Sequence, residues 1–454
     1  MKAEQPLNTN DATSRPMFAK PKGTIDHYPD ELSKLNTILG KFHDVASRYG
    51  FRAIETPVFE ELKVLTEKEG EQTKEEIFML EQRGDEKFGL RFDMTVPSAR
   101  MFTAIQKSCQ KPVKWCYGTK NWRYERPQKG RLREFHQFGV ELFGSDSPDA
   151  DAEVINVAIG CLRSLGLTNK DFTVEINNRK LLQGIVSDFV TSAQIGEAIA
   201  AIDKRKKLED KEFFELLKSV GVNDPSKVVE ILDLPDLDSI GKLKLNAMAK
   251  EGYEELKAVF RLLERDYCKV YLPLARGLSY YTSTVFEIFD VEGKYRALAG
   301  GGRYDTMIGN FGGEPCPATG MAIGLTPVQL VLEDKDLMPA AGGQPEVYVA
   351  VVDDTVRDKA REIVSALRQS QRVEWDLTGR ALGKQMQFAS TIGAKKVVIV
   401  GPKDVTAGKV TVRDLSSGKE EAVMIESIIG GKKAEGKGYK TAPNRHPPRS
   451  KRSK

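Results

Sequence analysis

The stretch from Trp115 to Gly144, WCYGTKNWRYERPQKGRLREFHQFGVELFG, constrains the fold most, because it reads as two strands joined by a basic loop rich in turn formers. Side chains alternate faces along a strand. Phe135, Gln137, Gly139 and Glu141 therefore share one face, and His136, Phe138, Val140 and Leu142 the other. The second is a core face, which gives His136 a structural place. The first sets an amide and a carboxylate beside a glycine, a choice that strand propensity disfavours unless the face looks into a polar cavity. The first strand ends in Arg123, the loop adds Arg126, Lys129, Arg131 and Arg133, and Gly130 lets the backbone bend.

Guanidinium donors beside such acceptors suit a molecule that carries both phosphate and amine. Arginine grips phosphate oxygens bidentately, while Gln137 and Glu141 accept from an ammonium or bond a polar side chain. A solvated hairpin with a charged tip accounts for the same residues, and the hairpin alone does not separate the two.

Composition narrows the classes. A chain of 454 residues is long enough for two or three domains, and 40% hydrophobic with 30% charged residues is an ordinary soluble composition. No apolar run approaches membrane-spanning length and the first fifteen residues lack the apolar core of a secretory signal, so a cytoplasmic, non-membrane protein is expected. The five cysteines are dispersed and never in C-x-x-C spacing, and there are only four histidines. Buried free thiols are expected, with no metal site made by protein side chains alone. The net charge of +4 hides a division: beyond Gly430 lie nine Lys or Arg against one Glu, so the body is acidic and the tail basic. The tail lacks apolar periodicity and is expected to be disordered, serving either an anionic partner such as nucleic acid or solubility.

The segment RYERPQKGRLREFHQFGVELFG resembles motif 2 of the class II aminoacyl-tRNA synthetases, in the form found in histidyl-tRNA synthetases. The resemblance implies that Arg123 holds the α-phosphate of ATP and the amino-acid carboxylate, and that Glu125 lies near the ATP. It places Gln137 and Glu141 in the histidine pocket, and Arg126, Gln128, Lys129 and Arg131 near the tRNA acceptor end.

Other segments take their places around it. Asp30 is predicted to cap a helix with Leu32, Leu35, Leu39, Phe42 and Ala46 at helical spacing, ended by Gly50 and followed by a strand, FRAIETPVFE. This order resembles motif 1, which implies a homodimer interface. Glu60 to Gln82 reads as a charged helix. In FGLRFDMTVPSAR, Arg91, Asp93 and Thr95 are predicted to share a strand face that ends at Pro97. The resemblance implies that Asp93 and Thr95 receive the α-ammonium of histidine, with Met94 between them in the histidine site. ARGLSYY resembles a histidyl-specific segment in which Arg276 contacts the α-phosphate and Tyr280 and Tyr281 close over the imidazole; Ser279 stands where the family usually has aspartate. GGGRYD matches a second such segment, with Tyr304 at the histidine. Its Gly300, Gly301 and Gly302 read as a turn open to close approach by a ligand.

GMAIGLTPVQLVLEDK stands where motif 3 belongs, a strand leading into a helix. Thr326 and Pro327 replace the acidic residue and the arginine that stacks on adenine; Thr326 is expected to cap the helix, with Pro327 in its first turn. The change removes a cation over the adenine ring, worth roughly 0.5 to 2 kcal/mol. After a Gly/Pro linker, VYVAVV, a helix from Thr355 to Arg368, RVEWDL, a helix from Ala381 to Ile392, and KKVVIVG alternate strand and helix before a hairpin. This resembles the anticodon-binding domain of the same group, with Arg380, Lys384 and Gln385 as candidate RNA contacts.

The expected architecture is an α+β catalytic domain with an antiparallel sheet flanked by helices, a helical insertion, and a C-terminal α/β anticodon-binding domain. Its expected bounds are a flexible N-terminus at 1–18, catalytic domain at 19–178 and 267–338, insertion at 179–266, anticodon-binding domain at 344–426 and basic tail at 430–454. The implied activity is that of a histidine-tRNA ligase. It takes L-histidine, ATP with Mg²⁺, and tRNA(His), and its catalytic residues are Arg123 and Arg276. A non-catalytic relative that senses histidine or uncharged tRNA is the alternative.

Overall fold

The computed structural model describes residues 18–67, 75–128, 130–276 and 280–429. The N-terminal expectation up to residue 17, Lys129, Ser279 and the basic tail lie outside them. The chain divides into two units between Ala340 and Ala341.

In the first unit, helix α1 (Pro29–Arg48) buries Leu35, Ile38, Phe42, Val45 and Ala46 as one stripe. Tyr28, not Asp30, is its N-cap residue; Pro29 fixes the first turn and Asp30 follows within it, where its charge complements the helix dipole. The segment FRAIETPVFE is not one strand. Pro57 interrupts it, leaving β1 (Arg52–Ala53) on the large sheet and β2 (Phe59–Glu61) in a separate ribbon with β3 (Phe88–Leu90). Nor do residues 60–82 form one helix. Strand β2 runs directly into the short α2 (Leu62–Thr66), because Leu65 is needed in a small apolar cluster with Ile77, Phe92 and Val96.

The triplet after β3 is also reassigned. Thr95 opens helix α3 (Thr95–Ile105), and Asp93 accepts a hydrogen bond from the Val96 amide at 3.3 Å. Proline in a first helical turn explains Pro97 as well as a strand end does. Arg91 faces elsewhere: fully buried, it donates to the carbonyls of Thr56 (2.6 Å) and Pro57 (2.9 Å) and clamps that turn to the sheet.

The large sheet has eight strands in the order β1-β4-β5-β10-β9-β8-β6-β7. They are β4 (Val113–Trp122), β5 (Glu134–Phe143), β6 (Phe172–Asn178), β7 (Cys268–Val270), β8 (Thr284–Asp290), β9 (Ala299–Arg303) and β10 (Ala318–Gly324). All neighbours run antiparallel except the edge pairs β1–β4 and β6–β7. One face is covered by α1 and α4 (Pro148–Ser164), whose apolar residues pack on Phe138, Val140 and Leu142. The ring of Phe42 meets that of Phe138 edge to face at 5.4 Å.

Between β6 and β7 lie α5 (Arg179–Ser187), α6 (Ile195–Ile202), α7 (Asp210–Ser219), α8 (Pro225–Leu232) and α9 (Ala247–Arg261). Their buried Leu181, Ile202, Phe213 and Leu256 join the same apolar cluster as the sheet. Strand β10 leads into α10 (Leu325–Asp334). Gly324 is its N-cap residue, which puts Thr326 inside the first turn and not at the cap.

The second unit has a five-stranded sheet in the order β12-β11-β13-β14-β15: β11 (Val347–Val351), β12 (Val373–Trp375), β13 (Lys396–Val400), β14 (Lys409–Asp414) and β15 (Glu420–Met424). The first three run parallel and the last two form an antiparallel hairpin. Helices α11 (Arg357–Leu367) and α12 (Leu382–Thr391) supply residues to its two apolar clusters. All five cysteines are free thiols; burial pushes Cys116 up to about 11 and Cys268 up to about 12.

Candidate active site

Strand β10, ATGMAIG, alternates by size. Ala318, Gly320, Ala322 and Gly324 share one face, and Thr319, Met321 and Ile323 the other. Neighbouring strands continue the small face: Tyr117, Gly139, Ala322, Gly300 and Glu287 stand opposite one another across β4, β5, β10, β9 and β8. Three small residues between a tyrosine and a glutamate leave a trough, which floors a cavity of about 270 Å³.

The glycines are there because other side chains occupy their space. A Cβ at Gly139 would lie 2.4 Å from the Tyr117 ring, and one at Gly320 would lie 2.0 Å from a carboxylate oxygen of Glu141. Glu141 is fully buried beneath the trough and accepts from the hydroxyls of Tyr117, at 3.2 Å, and Tyr304. Burial first, and the Glu141 charge second, hold both phenols well above their ordinary pKa, so both stay protonated and donate. Tyr280 packs on Tyr281 at 4.4 Å and meets Tyr304 edge to face at 6.1 Å, which makes one wall aromatic. Gln137 lines the cavity and accepts from the Asn121 side-chain amide at 2.7 Å, which leaves its own NH₂ group to donate inward.

Both predicted catalytic arginines line this cavity. Arg123 follows β4, donates from Nε to the Phe92 carbonyl at 3.2 Å, and lies over the Phe135 ring at 5.2 Å. Arg276 adopts φ of 51°, a left-handed conformation rare for a side chain of this size, and its guanidinium lies across Gly300. It is 3.7 Å from Glu287 and donates to the Phe286 carbonyl at 3.3 Å. Burial opposes the Arg276 charge, but Tyr281 and Glu287 outweigh it and keep the group fully cationic.

Asp93, Thr95 and Glu125 also line the cavity, and Glu125 is ion-paired to Arg131. Met94 does not: its sulfur accepts from the Thr56 hydroxyl at 3.4 Å in the protein interior. Gly300, Gly301 and Gly302 form strand β9, not a turn, and what approaches them closely is Arg276, the Gly320 carbonyl and Tyr281 of the chain itself. Arg126 and Gln128 are exposed on the loop and outside the cavity lining. His136 was expected on the core face, but it is half-buried and lines the cavity with Phe135 and Gln137; it stands edge to face with His27 at 5.5 Å, and burial lowers its pKa to about 4. In the second unit, Gln385 is not an available RNA contact, because it is buried and bonds both the amide and the carbonyl of Val351. Arg380 is tied to Asp376 and lies over the Phe388 ring at 4.3 Å, while Lys384 is exposed.

Tyr117, Glu287 and Arg296 line the site without having been expected there. The strand alternation that puts Gln137 and Glu141 on one face with Gly139 would have flagged Tyr117, directly across from Gly139. Nothing local marks Glu287, which reaches the site through its register with Gly300.

Residues 23–328 match the family model described as "Histidyl-tRNA synthetase", and residues 346–434 that described as "Anticodon binding domain". The histidine-tRNA ligase of Pyrococcus horikoshii is 39% identical over 425 residues, covering 91% of this chain and 98% of that protein. That of Halobacterium salinarum is 37% identical over 422 residues, with the same coverage of 91% and 98%. Among solved structures, histidyl-tRNA synthetase from Nostoc sp. PCC 7120 matches with a TM-score of 0.77 at 27% identity, over 91% of this chain and 98% of that one. An ATP phosphoribosyltransferase regulatory subunit/histidyl-tRNA synthetase from Bacillus halodurans C matches with 0.70 at 26%, over 85% and 99%.

Proposed function

The chain belongs to the histidyl-tRNA synthetase family, ligases that charge tRNA with histidine, and from that premise we propose that the trough of the large sheet is where histidine is activated. The observation that carries this reading is the pair Tyr117 and Tyr304, which line the same cavity as Arg123 and Arg276 and donate to the buried Glu141 behind them. Glu141 accepts an imidazole N–H, the tyrosine wall packs on the ring, and Asp93 with Thr95 receives the α-ammonium.

A histidine carboxylate oxygen attacks the α-phosphorus of ATP, the bond to the bridging oxygen breaks, and histidyl-adenylate and pyrophosphate form. The terminal ribose hydroxyl of tRNA(His) then attacks the acyl carbon and releases AMP. Arg123 and Arg276 balance the charge that develops on the phosphoryl oxygens, so positioning and electrostatics do most of the catalysis. The attacking carboxylate is already ionised, so the first step calls on no protein base.

Among the described residues there is no group of three or more His, Cys, Asp or Glu side chains that could hold a metal ion, and Glu125 is taken up by Arg131. Mg²⁺ would arrive with the triphosphate as MgATP. Arg126 and Gln128 on the exposed loop face the tRNA acceptor end, and Lys384 and Arg380 contribute to RNA binding in the second unit. The family reading carries with it a cytoplasmic homodimer; no helix among the described residues is long and apolar enough to cross a membrane. The regulatory alternative is not favoured, since the chain is matched almost end to end by ligases and keeps both arginines and the second unit.

Histidine-dependent exchange of pyrophosphate into ATP tests the reading without needing the tRNA. Exchange with histidine but not with other amino acids, reduced about a hundredfold or more in Arg276→Ala, is expected. Exchange of equal rate in Arg276→Ala would remove the trough from the chemistry.

A further inference from the structure

We propose that Arg296, on the hairpin between β8 and β9, supplies the cation that grips the nucleotide of ATP, replacing the arginine that the start of α10 lacks. The inference rests on the trough being the ATP site and adds a residue to it.

The turn from β10 into α10 contributes Gly324, Thr326 and Pro327 to the cavity, none of them charged. Pro327 is buried, with its ring 3.2 Å from where a Cβ on Gly324 would stand, so this wall offers surface and no charge. Arg296 lines the same cavity beside Leu132, Phe135, Thr326 and Pro327. Its hairpin is fixed on both sides. The Asp290 carboxylate accepts from the amides of Lys294, at 2.8 Å, and Tyr295, at 3.0 Å. The Gly324 amide donates to the Leu298 carbonyl at 2.9 Å, which bonds the hairpin carrying Arg296 directly to the turn that has no arginine.

The other arginines here are engaged: Arg131 with Glu125, Arg276 with Glu287, and Arg123 with the Phe92 carbonyl. Arg296 is exposed at the mouth, and its guanidinium has no ion-pair partner among the described residues. Arg131 is held below the ordinary arginine range by burial and, next, by the Arg296 charge, so two like charges face one volume. A planar, polyanionic ligand relieves that repulsion, and it matches a guanidinium that can stack on a base or fork onto phosphate.

The test uses the full chain as wild type, Arg296→Ala and Arg296→Lys, with MgATP binding measured at equilibrium without histidine, then pyrophosphate exchange. Arg296→Ala is expected to weaken MgATP binding and raise KM for ATP about tenfold, leaving KM for histidine within about twofold. Arg296→Lys, which keeps the charge but not the plane, should recover part of the loss. Wild-type MgATP affinity in Arg296→Ala would overturn the proposal, as would an equal loss of affinity for histidine. Because binding is read without turnover, a wild type that binds MgATP but exchanges nothing would count against the proposed activation chemistry alone.

Discussion

The two sheets of this protein treat their middle strands in opposite ways. In the second unit, every residue of β11 is buried: Val347, Val349 and Val351 feed one apolar cluster, Tyr348 and Ala350 the other. In the first unit, β10 and β9 are as central, yet one face of each is reduced to Gly or Ala, and the space is given to Glu141, Tyr117, Arg276 and Tyr281. A strand filled on both faces is scaffold. A strand filled on one face and emptied on the other is the floor of a site, and it keeps its stability only because helices cover the opposite face.

That contrast can be broken by exchanging the roles. Ile363→Ala, in the core of the second unit, should cost that unit about 3 kcal/mol in denaturant unfolding and leave pyrophosphate exchange within about twofold. Gly320→Ala strikes the trough instead, displacing the Glu141 carboxylate and lowering kcat/KM for histidine about a hundredfold; it should lower the melting temperature as well, because the new Cβ would also lie 2.8 Å from the Val140 carbonyl oxygen. Glu141→Gln sharpens the point, since it keeps the shape and removes the charge; KM for histidine should rise about ten- to thirtyfold while KM for ATP stays put. An equal rise in both would mean that the trough does not separate the two substrates.

The smallest effect falls at the cavity edge. Burial, then the Lys120 charge, depresses His136 from 6.5 to about 4. Between those values the unfolded chain binds a proton that the folded chain refuses, so stability falls as pH drops from 6.5 toward 4. His136→Gln should flatten that part of the unfolding profile by about 1 kcal/mol, a figure discounted for partial exposure.

The β4–β5 hairpin was legible residue by residue, because period-two alternation needs no partner to interpret. The segments around Arg276 and Tyr304 were legible as a family pattern, though the reason for their glycines was not: Gly300 makes room for Arg276, twenty-four residues earlier in the chain. Asp93 and Thr95 were placed on a strand because i, i+2 spacing with a following proline suits a strand end and a helix start equally. Charge pattern misled over 60–82, since it reports exposure and says nothing about backbone. Glu287 and Gln385 escaped for one reason: what each does is decided by a strand far away in sequence, Gly300 for one and Val351 for the other.

The most direct test is a crystal structure with histidinol and MgATP, a pair that cannot react because histidinol has no carboxylate. The account predicts the imidazole bonded to Glu141 under the tyrosine wall, with the α-phosphate between Arg123 and Arg276. An imidazole bound away from Glu141, or an α-phosphate beyond the reach of both arginines, would contradict it.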